Sequence, residues 1–142
     1  QVGGTQCLGC AFARHEGRVL LIKHARLRKW LPVGGEINEG ETPLDAARRE
    51  LEEETGLAGH FVRPSPIEGT PPGFLGYEEH LAGNKGWHLN LAFVAEVSSA
   101  EVRSNGEFTD HEWTEDPSAI PAPTNVIQLA RLALFSQARS RP

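Results

Sequence analysis

The sequence predicts an α/β fold in which a mixed β-sheet lies between two helices. Two segments have the apolar periodicity of amphipathic helices: residues 43–55, and a closing segment that opens at Pro123-Thr124-Asn125. Segments with strand-like alternation precede the first helix and lie between the two. The 142 residues, of which 39% are hydrophobic, suit one domain over 1–142 with a single well-buried core.

The first two elements are predicted as strands. Residues 5–14 and 18–23 contain apolar runs, and His15-Glu16-Gly17 between them is typical of a turn. Cys7 and Cys10 fall in the first strand. Residues three apart on a strand face opposite sides, so this pair suits neither a disulfide nor a zinc site, and we expect two buried thiols.

The helix at 43–55 has clear start and stop signals. Thr42 is a good N-cap, Pro43 fits the first helical position, and Asp45 stands where a capping-box acid belongs. Gly56 supplies the stop. An apolar stripe predicts the buried face of this helix: Leu44, Ala47 and Leu51.

Acidic residues crowd the end of this helix, where the helix dipole disfavours them. At about 100° per residue, Glu50, Glu53 and Glu54 share one arc beside the apolar stripe, while Glu52 points into solvent. One interpretation is a solvated charged face. The other is a site for Mg²⁺ or Mn²⁺, which prefer oxygen ligands, with Arg49 orienting the acids by pairing.

The spacing of these residues decides between the two interpretations. The residues at fixed intervals are Gly35, Glu41, Arg49, Glu50, Leu51, Glu53, Glu54, Gly56 and Leu57. They match the Nudix box, so the chain resembles the Nudix hydrolases over residues 35–57. The resemblance implies an α/β/α sandwich and Mg²⁺-dependent hydrolysis of a nucleoside diphosphate linked to another group.

The resemblance also implies roles for individual residues. Glu50, Glu53 and Glu54 would be ligands of one to three Mg²⁺ ions, and the carbonyl of Gly34 or Gly35 would be a further ligand. The general base would be a box glutamate or an acid from outside the box. Both glycines are expected to adopt backbone conformations that a side chain would forbid.

A basic segment, residues 23–29, leads into Trp30. Either it is a solvated loop that balances nearby acids, or it contacts the substrate phosphates, with Arg26 and Arg28 as the candidates because arginine can hold phosphate bidentately. Trp30 could stack on a base, but packing beneath the sheet is the favoured role. The phosphate-binding interpretation places the basic segment beside the acidic site.

Residues 60–63 are predicted as a short strand, followed by a Pro- and Gly-rich loop over 64–86. A loop of this length is either a binding lid, with Phe74 and Tyr77 as base contacts, or a mobile surface segment. Residues 87–95 are the next predicted strand. On it, His88 and Asn90 share a face that could line a substrate pocket.

A last acidic group lies near Trp113. In many Nudix enzymes an acid about six residues before a Trp reaches the metal cluster, so Glu107 is the preferred outside ligand or base, ahead of Glu112 and Asp110. The closing helix should cover the sheet with an apolar stripe, and residues 136–142 should fray. The stripe consists of Val126, Leu129, Ala130, Ala133 and Leu134.

The substrate predicted first is a (deoxy)nucleoside triphosphate. ADP-ribose or a nucleotide sugar is the alternative, since Pro72 stands near a position typical of ADP-ribose pyrophosphatases. A non-catalytic nucleotide-sensing module is disfavoured because every box acid is present. A net charge of −5 argues against general nucleic-acid binding and makes an RNA 5′-end pyrophosphohydrolase the weaker candidate.

The remaining expectations concern context. No apolar run is long enough for a membrane span, no signal peptide is visible, and free thiols are typical of the cytoplasm. The chain lacks Met and begins at Gln1, so the natural N-terminus is expected to lie upstream. The partner is a small nucleotide, and the protein is expected to be a monomer or a homodimer.

Overall fold

The computed structural model describes residues 4–61 and 67–136. Within these ranges the chain forms seven strands and two α-helices. In chain order they are β1 (Thr5–His15), β2 (Arg18–His24), β3 (Trp30–Leu31), β4 (Val33–Glu36), α1 (Pro43–Thr55), β5 (Phe74–Leu81), β6 (Trp87–Glu96), β7 (Phe108–Thr114) and α2 (Thr124–Phe135).

Strand β1 is the centre of a mixed sheet. It runs parallel to β6 along most of its length, and it is antiparallel to β2 at its C-terminal end and to β4 in its middle, at residues 8–11. The order across the sheet is β3-β2-β1-β6-β5, with β7 paired to β2. The predicted mixed sheet is therefore confirmed.

The connection from β1 to β2 is a tight hairpin. His15 pairs with Arg18, and the two residues between them, Glu16 and Gly17, have φ angles of 50° and 77°. Two consecutive left-handed residues are typical of a type I′ turn, whose twist matches that of the flanking strands. The predicted turn is confirmed.

The sheet is packed on both faces, because successive side chains of a strand point to opposite sides. Ala11 and Ala13 of β1 belong to a core that contains Ala47 and Leu51 of α1. Cys10 and Phe12 belong to a second core that contains Ala130 of α2. The chain is thus an α/β/α sandwich, as predicted.

Helix α1 begins and ends as its sequence predicts. The Thr42 hydroxyl accepts from the Asp45 amide at 3.1 Å, and the Asp45 carboxylate accepts from the Thr42 amide at 3.0 Å. Gly56 follows the helix with φ 79° and donates to the Glu52 carbonyl at 2.9 Å. These reciprocal bonds satisfy amides and carbonyls that helix ends otherwise leave free, so the position of the acidic turn is fixed.

Helix α2 covers the second core with the predicted stripe. Val126, Ala130 and Ala133 are buried, and Leu129 and Leu134 are half-buried against the same core. No helix of the described segments is long and apolar enough to cross a bilayer.

The prediction of a loop over 64–86 is partly wrong. Residues 74–81 form strand β5, which pairs antiparallel with β6 from Phe74–Phe93 to Leu81–Trp87. Of the predicted strand at 60–63, His60 makes an isolated bridge with Glu96, while residues 62 and 63 lie outside the described ranges. Residues 137–142 of the predicted frayed end also lie outside them.

The prediction for the two thiols is half right. Cys10 is buried, and burial raises its pKa to about 12, but Cys7 is exposed. Gly9 is the residue of β1 that packs under the first turn of α1, since a Cβ there would stand 2.6 Å from the Pro43 carbonyl oxygen. Cys7 lies beyond that turn, where the helix no longer covers the strand.

A buried arginine ties β1 to the end of α2. Arg14 donates to the Glu96 carboxylate at 2.6 Å and to the Ser136 carbonyl at 2.9 Å, and it also reaches the Ala133 carbonyl. Carbonyls of the last turn of a helix lack partners within the helix. Arg14 therefore caps α2 from the face of the sheet that this helix covers.

Candidate active site

Strand β4 lies directly against the acidic end of α1. A Cβ built on Gly35 would stand 2.7 Å from the carboxyl carbon of Glu50, and one on Gly34 would stand 2.7 Å from the Gly9 carbonyl oxygen. Neither glycine has a positive φ. The predicted reason for these glycines is therefore wrong: they are required for close approach, not for unusual backbone conformations.

Arg49 organises the acidic cluster, as predicted. Its guanidinium donates to both carboxylate oxygens of Glu41, at 2.6 and 3.1 Å, to Glu50 at 3.0 Å and to Glu53 at 3.2 Å. It also donates to the Glu36 carbonyl at 3.0 Å, which ties α1 to the end of β4. Sequence reasoning used Glu41 only for its spacing and missed its role as the anchor of Arg49.

The three box glutamates have different environments. The side chain of Glu53 is 56% exposed and that of Glu50 15%, whereas Glu54 is 3% exposed as a residue. Glu52 is exposed, as predicted. The cluster therefore presents one carboxylate to solvent, one at its edge and one in its interior.

Glu54 is the member of the cluster whose surroundings least favour a negative charge. Burial, a hydrogen bond with Glu50 and the charges of Glu50 and Glu107 together raise its pKa to about 9, against the opposing effect of the Gly34 backbone amide. Its Oε2 atom is buried and has no hydrogen-bond partner in the described part of the chain. A buried carboxylate with one unpartnered oxygen is costly to keep charged unless a proton or a cation is bound there.

This observation fits a divalent cation at Glu54. Carboxylate oxygens are the ligands that Mg²⁺ and Mn²⁺ prefer. Across residues 4–61 and 67–136, however, no three His, Cys, Asp or Glu side chains converge closely enough to hold an ion as they stand. Two of the acids, Glu50 and Glu53, are bound by Arg49 instead.

Glu107 joins the cluster from the other side. It is exposed and immediately precedes β7, and its charge acts on Glu54. The two alternatives considered from the sequence, Asp110 and Glu112, lie farther along β7, paired with Lys23 and Leu21. The structure therefore brings Glu107 to the box acids.

The basic segment lies beside Glu107. The Ala25 amide donates to the Glu107 carbonyl at 2.9 Å. Arg26 and Arg28 are exposed, and neither has an ion pair with any described residue. Two arginines without an ion pair to a described residue are therefore carried by a loop whose backbone is bonded to that of Glu107.

Two aromatic candidates pack on the cores. Trp30 is half-buried against the second core, which confirms the favoured role, and Phe74 contacts the Phe93 ring with centroids 5.7 Å apart. Tyr77 is 50% exposed and donates to Glu79 at 2.5 Å, which with that charge raises its pKa to about 12.

His88 lies in a polar group on the α2 face. Its ring is 5.2 Å from that of His80, and its Nε2 atom is buried without a partner among the described residues. Burial lowers the pKa of His88. Tyr77 pairs with Leu91 and so faces α1, whereas His88 faces α2. These two candidates cannot contact one base together.

The same polar group contains residues that sequence reasoning did not select. The Glu78 carboxylate accepts from the side-chain amide of Asn125 at 3.0 Å and from the His80 ring at 3.1 Å. Asn90, which shares the face of His88 as predicted, donates to the Cys10 sulfur at 3.4 Å. The sequence gives no signal for Glu78, because its strand, β5, falls within a segment whose Pro and Gly content predicts a loop.

Comparisons with family models, related sequences and solved structures all point to the same family. The model of the NUDIX domain matches residues 6–131. An RNA pyrophosphohydrolase of Erythrobacter litoralis is 31% identical over 137 residues, covering 82% of this chain and 78% of that protein. An RNA pyrophosphohydrolase of Bartonella clarridgeiae is 45% identical over 62 residues, covering 37% of this chain. The match spans about a third of that relative's length, namely 35%.

Solved structures show the same fold. A NUDIX-family hydrolase from Clostridium perfringens aligns with a TM-score of 0.80 at 25% identity, covering 91% of this chain and 95% of that one. An Ap4A hydrolase from C. elegans aligns with a TM-score of 0.73 at 18% identity, covering 89% and 93%. The second likeness concerns the fold alone.

Proposed function

The chain belongs to the Nudix hydrolase family, and on that premise we propose that it hydrolyses a pyrophosphate bond in a nucleoside diphosphate linked to another group. The cofactor is a divalent cation, Mg²⁺ or Mn²⁺. The observation that carries the proposal is the buried Glu54 carboxylate, which has an unpartnered oxygen and lies close to Glu50 and Glu107.

The residues that would hold the cation are the acids of this cluster and a backbone carbonyl of β4: Glu50, Glu53, Glu54, Glu107, and Gly34 or Gly35. A bound cation would neutralise pyrophosphate charge and lower the pKa of a water molecule. Glycine at position 35 supports this arrangement, because any side chain there would displace the Glu50 carboxylate.

The attacking water needs a base, and Glu107 is our first candidate. Its carboxylate is exposed and has no hydrogen-bond partner among the described residues, so it is free to accept a proton. Glu53 is the alternative, since it is the most exposed of the box acids. Glu50 is less suited because its side chain is only 15% exposed, so it is less accessible to an attacking water.

Arg26 and Arg28 are proposed to bind the substrate phosphates. They are exposed, unpaired within the described segments and placed beside Glu107 by the Ala25–Glu107 hydrogen bond. Arginine donates in a fork that suits phosphate oxygens. Binding there would balance the charge of a leaving phosphate.

For the rest of the substrate, we propose a (deoxy)nucleoside triphosphate first. His88 and Tyr77, which lie on opposite faces of the sheet, are the proposed contacts for a base. Trp30 and Phe74 are less suited because they pack against the cores. The proposed requirement for Mg²⁺ rests on the acidic cluster, and the proposed choice of a nucleotide rests on His88 and Tyr77.

A second candidate is a 5′-triphosphate RNA end. It is favoured by the relative from Erythrobacter litoralis, which aligns over most of both chains and is named an RNA pyrophosphohydrolase. The basic segment could meet a 5′ end, but the net charge of −5 opposes contacts along a strand.

The test is release of phosphate and pyrophosphate from a panel of substrates with Mg²⁺, with Mn²⁺ and with EDTA. The panel contains canonical and oxidised dNTPs, ADP-ribose, nucleotide sugars, dinucleoside polyphosphates and a 5′-triphosphate RNA. We expect metal-dependent turnover of the triphosphates. Preference for RNA, with KM rising steeply between 50 and 200 mM salt, would favour the second candidate. Nucleotide binding without any turnover would overturn the hydrolase proposal.

A further inference from the structure

The basic segment is a closed loop rather than a loose one. At its base, the His24 amide donates to the Lys29 carbonyl at 2.9 Å, and the Arg28 amide donates to the His24 carbonyl at 2.8 Å. Arg28 has a φ of 59°, which is the left-handed region and is unfavourable for a residue with a side chain. Such a conformation persists only where surrounding contacts impose it.

One side chain supplies contacts inside the loop. The Nδ1 atom of His24 accepts hydrogen bonds from the amides of Arg26, at 3.2 Å, and Leu27, at 3.1 Å. A backbone amide can only donate, so Nδ1 must carry a lone pair rather than a proton. Burial and the charge of Arg26 lower the pKa of His24, against the opposite effect of Glu107, and so favour this neutral ring.

The same loop is joined to the acidic cluster. The Ala25 amide donates to the Glu107 carbonyl, and His24 pairs with Phe108, the residue after Glu107. The ladder between β2 and β7 shifts register between Lys23 and His24. The loop and the Glu107 backbone are therefore parts of one hydrogen-bonded unit.

From this geometry we infer that His24 is a positioning residue. Its Nδ1 atom fixes the loop so that Arg26 and Arg28 are presented to the substrate phosphates at a set distance from Glu107. The inference rests on the proposed function, which supplies the phosphate. His24 itself touches neither the substrate nor the cation.

The kinetic test compares His24→Ala with His24→Asn on the best substrate of the panel. The Asn side-chain oxygen can accept from amides two and three residues ahead, as in Asx turns, whereas Ala cannot. We expect His24→Ala to raise KM by about tenfold and to leave kcat within about threefold, because the loss is one of phosphate binding. His24→Asn should restore most of the wild-type KM. His111→Ala, an exposed histidine of β7, is the matched control and should change neither constant.

A second arm asks whether His24 acts through the arginines. In the Arg26→Ala/Arg28→Ala background, adding His24→Ala should change KM by less than about twofold, since residues that act as one unit are not additive. An equal effect in both backgrounds would overturn the inference. So would an Asn variant as impaired as the Ala variant, or an unaltered KM in His24→Ala.

Amide hydrogen exchange by NMR provides a readout that needs no turnover. The amides of Arg26 and Leu27 should exchange more slowly in wild type and His24→Asn than in His24→Ala. If no substrate of the panel is turned over, the proposed function fails, and this measurement alone decides whether His24 orders the loop. Equal exchange in all three proteins would show that it does not.

Discussion

The carboxylate of Glu50 occupies the space that a side chain of residue 35 would need, since a Cβ on Gly35 would stand 2.7 Å from the Glu50 carboxyl carbon. These two residues come from different elements, β4 and α1. The contact fixes how closely the acidic end of the helix approaches the strand, and so fixes where the proposed cation site is built.

Gly35→Ala should therefore impair catalysis more than folding. The added methyl group meets a side-chain carboxylate that can turn aside, and a displacement of about 1 Å at a reacting centre can lower the rate by about a hundredfold. We expect kcat to fall by about that factor, with the thermal midpoint little changed in a circular dichroism melt. Gly34→Ala is the contrasting variant.

At position 34 the methyl group would meet the Gly9 backbone at 2.7 Å, and backbone cannot move aside without disturbing the sheet. Gly34→Ala should thus lower the thermal midpoint clearly. Equal thermal losses in the two variants would contradict the distinction between them.

Glu53→Gln should abolish nearly all turnover and leave the fold intact. The substitution removes a charge from the proposed cation site, but the side chain is 56% exposed and contributes little to packing. We expect kcat to fall below about 1% of wild type. Glu52→Gln is the matched control, because Glu52 is the exposed neighbour that points away from the cluster. A Glu53→Gln variant with most of the wild-type kcat would exclude Glu53 from the site.

The stability of the metal-free protein should depend on pH through Glu54. Its pKa is about 9 in the folded state, against an ordinary value of 4.5, so the folded protein retains a proton that the unfolded chain has lost. The stabilisation from this retained proton is complete below pH 4.5, the ordinary pKa, and is lost as the pH rises toward 9. In EDTA, the thermal midpoint should fall between pH 5 and pH 9.

Glu54→Gln isolates this effect, because the amide is neutral at every pH and occupies nearly the same volume. The decline in thermal midpoint should be smaller in Glu54→Gln than in wild type, and Mg²⁺ should raise the wild-type midpoint more at pH 8 than at pH 5. Parallel curves for the two proteins would mean that Glu54 does not hold the proton.

Arg14→Met should destabilise the fold without touching the site. Arg14 is buried, pairs with Glu96 and caps the last turn of α2. Removing it leaves the Ala133 and Ser136 carbonyls, and the 36% exposed side chain of Glu96, without this partner. We therefore expect a loss of about 2 kcal/mol in the free energy of unfolding. Urea denaturation measures this loss. Arg18→Met, at an exposed position four residues later, should change the free energy of unfolding by less than about 0.5 kcal/mol.

The sequence predicted correctly those parts of the molecule whose structure is determined by residues close together in the chain. Helix α1 is set by Thr42, Asp45 and Gly56, which act within one turn of its ends. The hairpin is set by Glu16 and Gly17 alone. The clustering of the acids was predicted because residues three or four positions apart lie on one face of a helix.

The parts that sequence missed depend on residues far apart in the chain. Strand β5 contains Gly76 and three polar residues, and it is a strand because β6 pairs with it. The need for glycine at 34 and 35 arises from Gly9 and Glu50, and the exposure of Cys7 arises from where α1 begins. No local pattern carries this information.

The parallel pairing of β1 with β6 has a consequence for how the chain is made. The pairs run from Thr5–Trp87 to Arg14–Glu96, and Arg14 and Glu96 are 82 positions apart. Pairing over such a separation is slow, because a long loop must close before any contact is gained. On the ribosome, the edge of β1 that faces β6 therefore stays unpaired until Glu96 has emerged, and during that time this edge is available to chaperones or to other nascent chains.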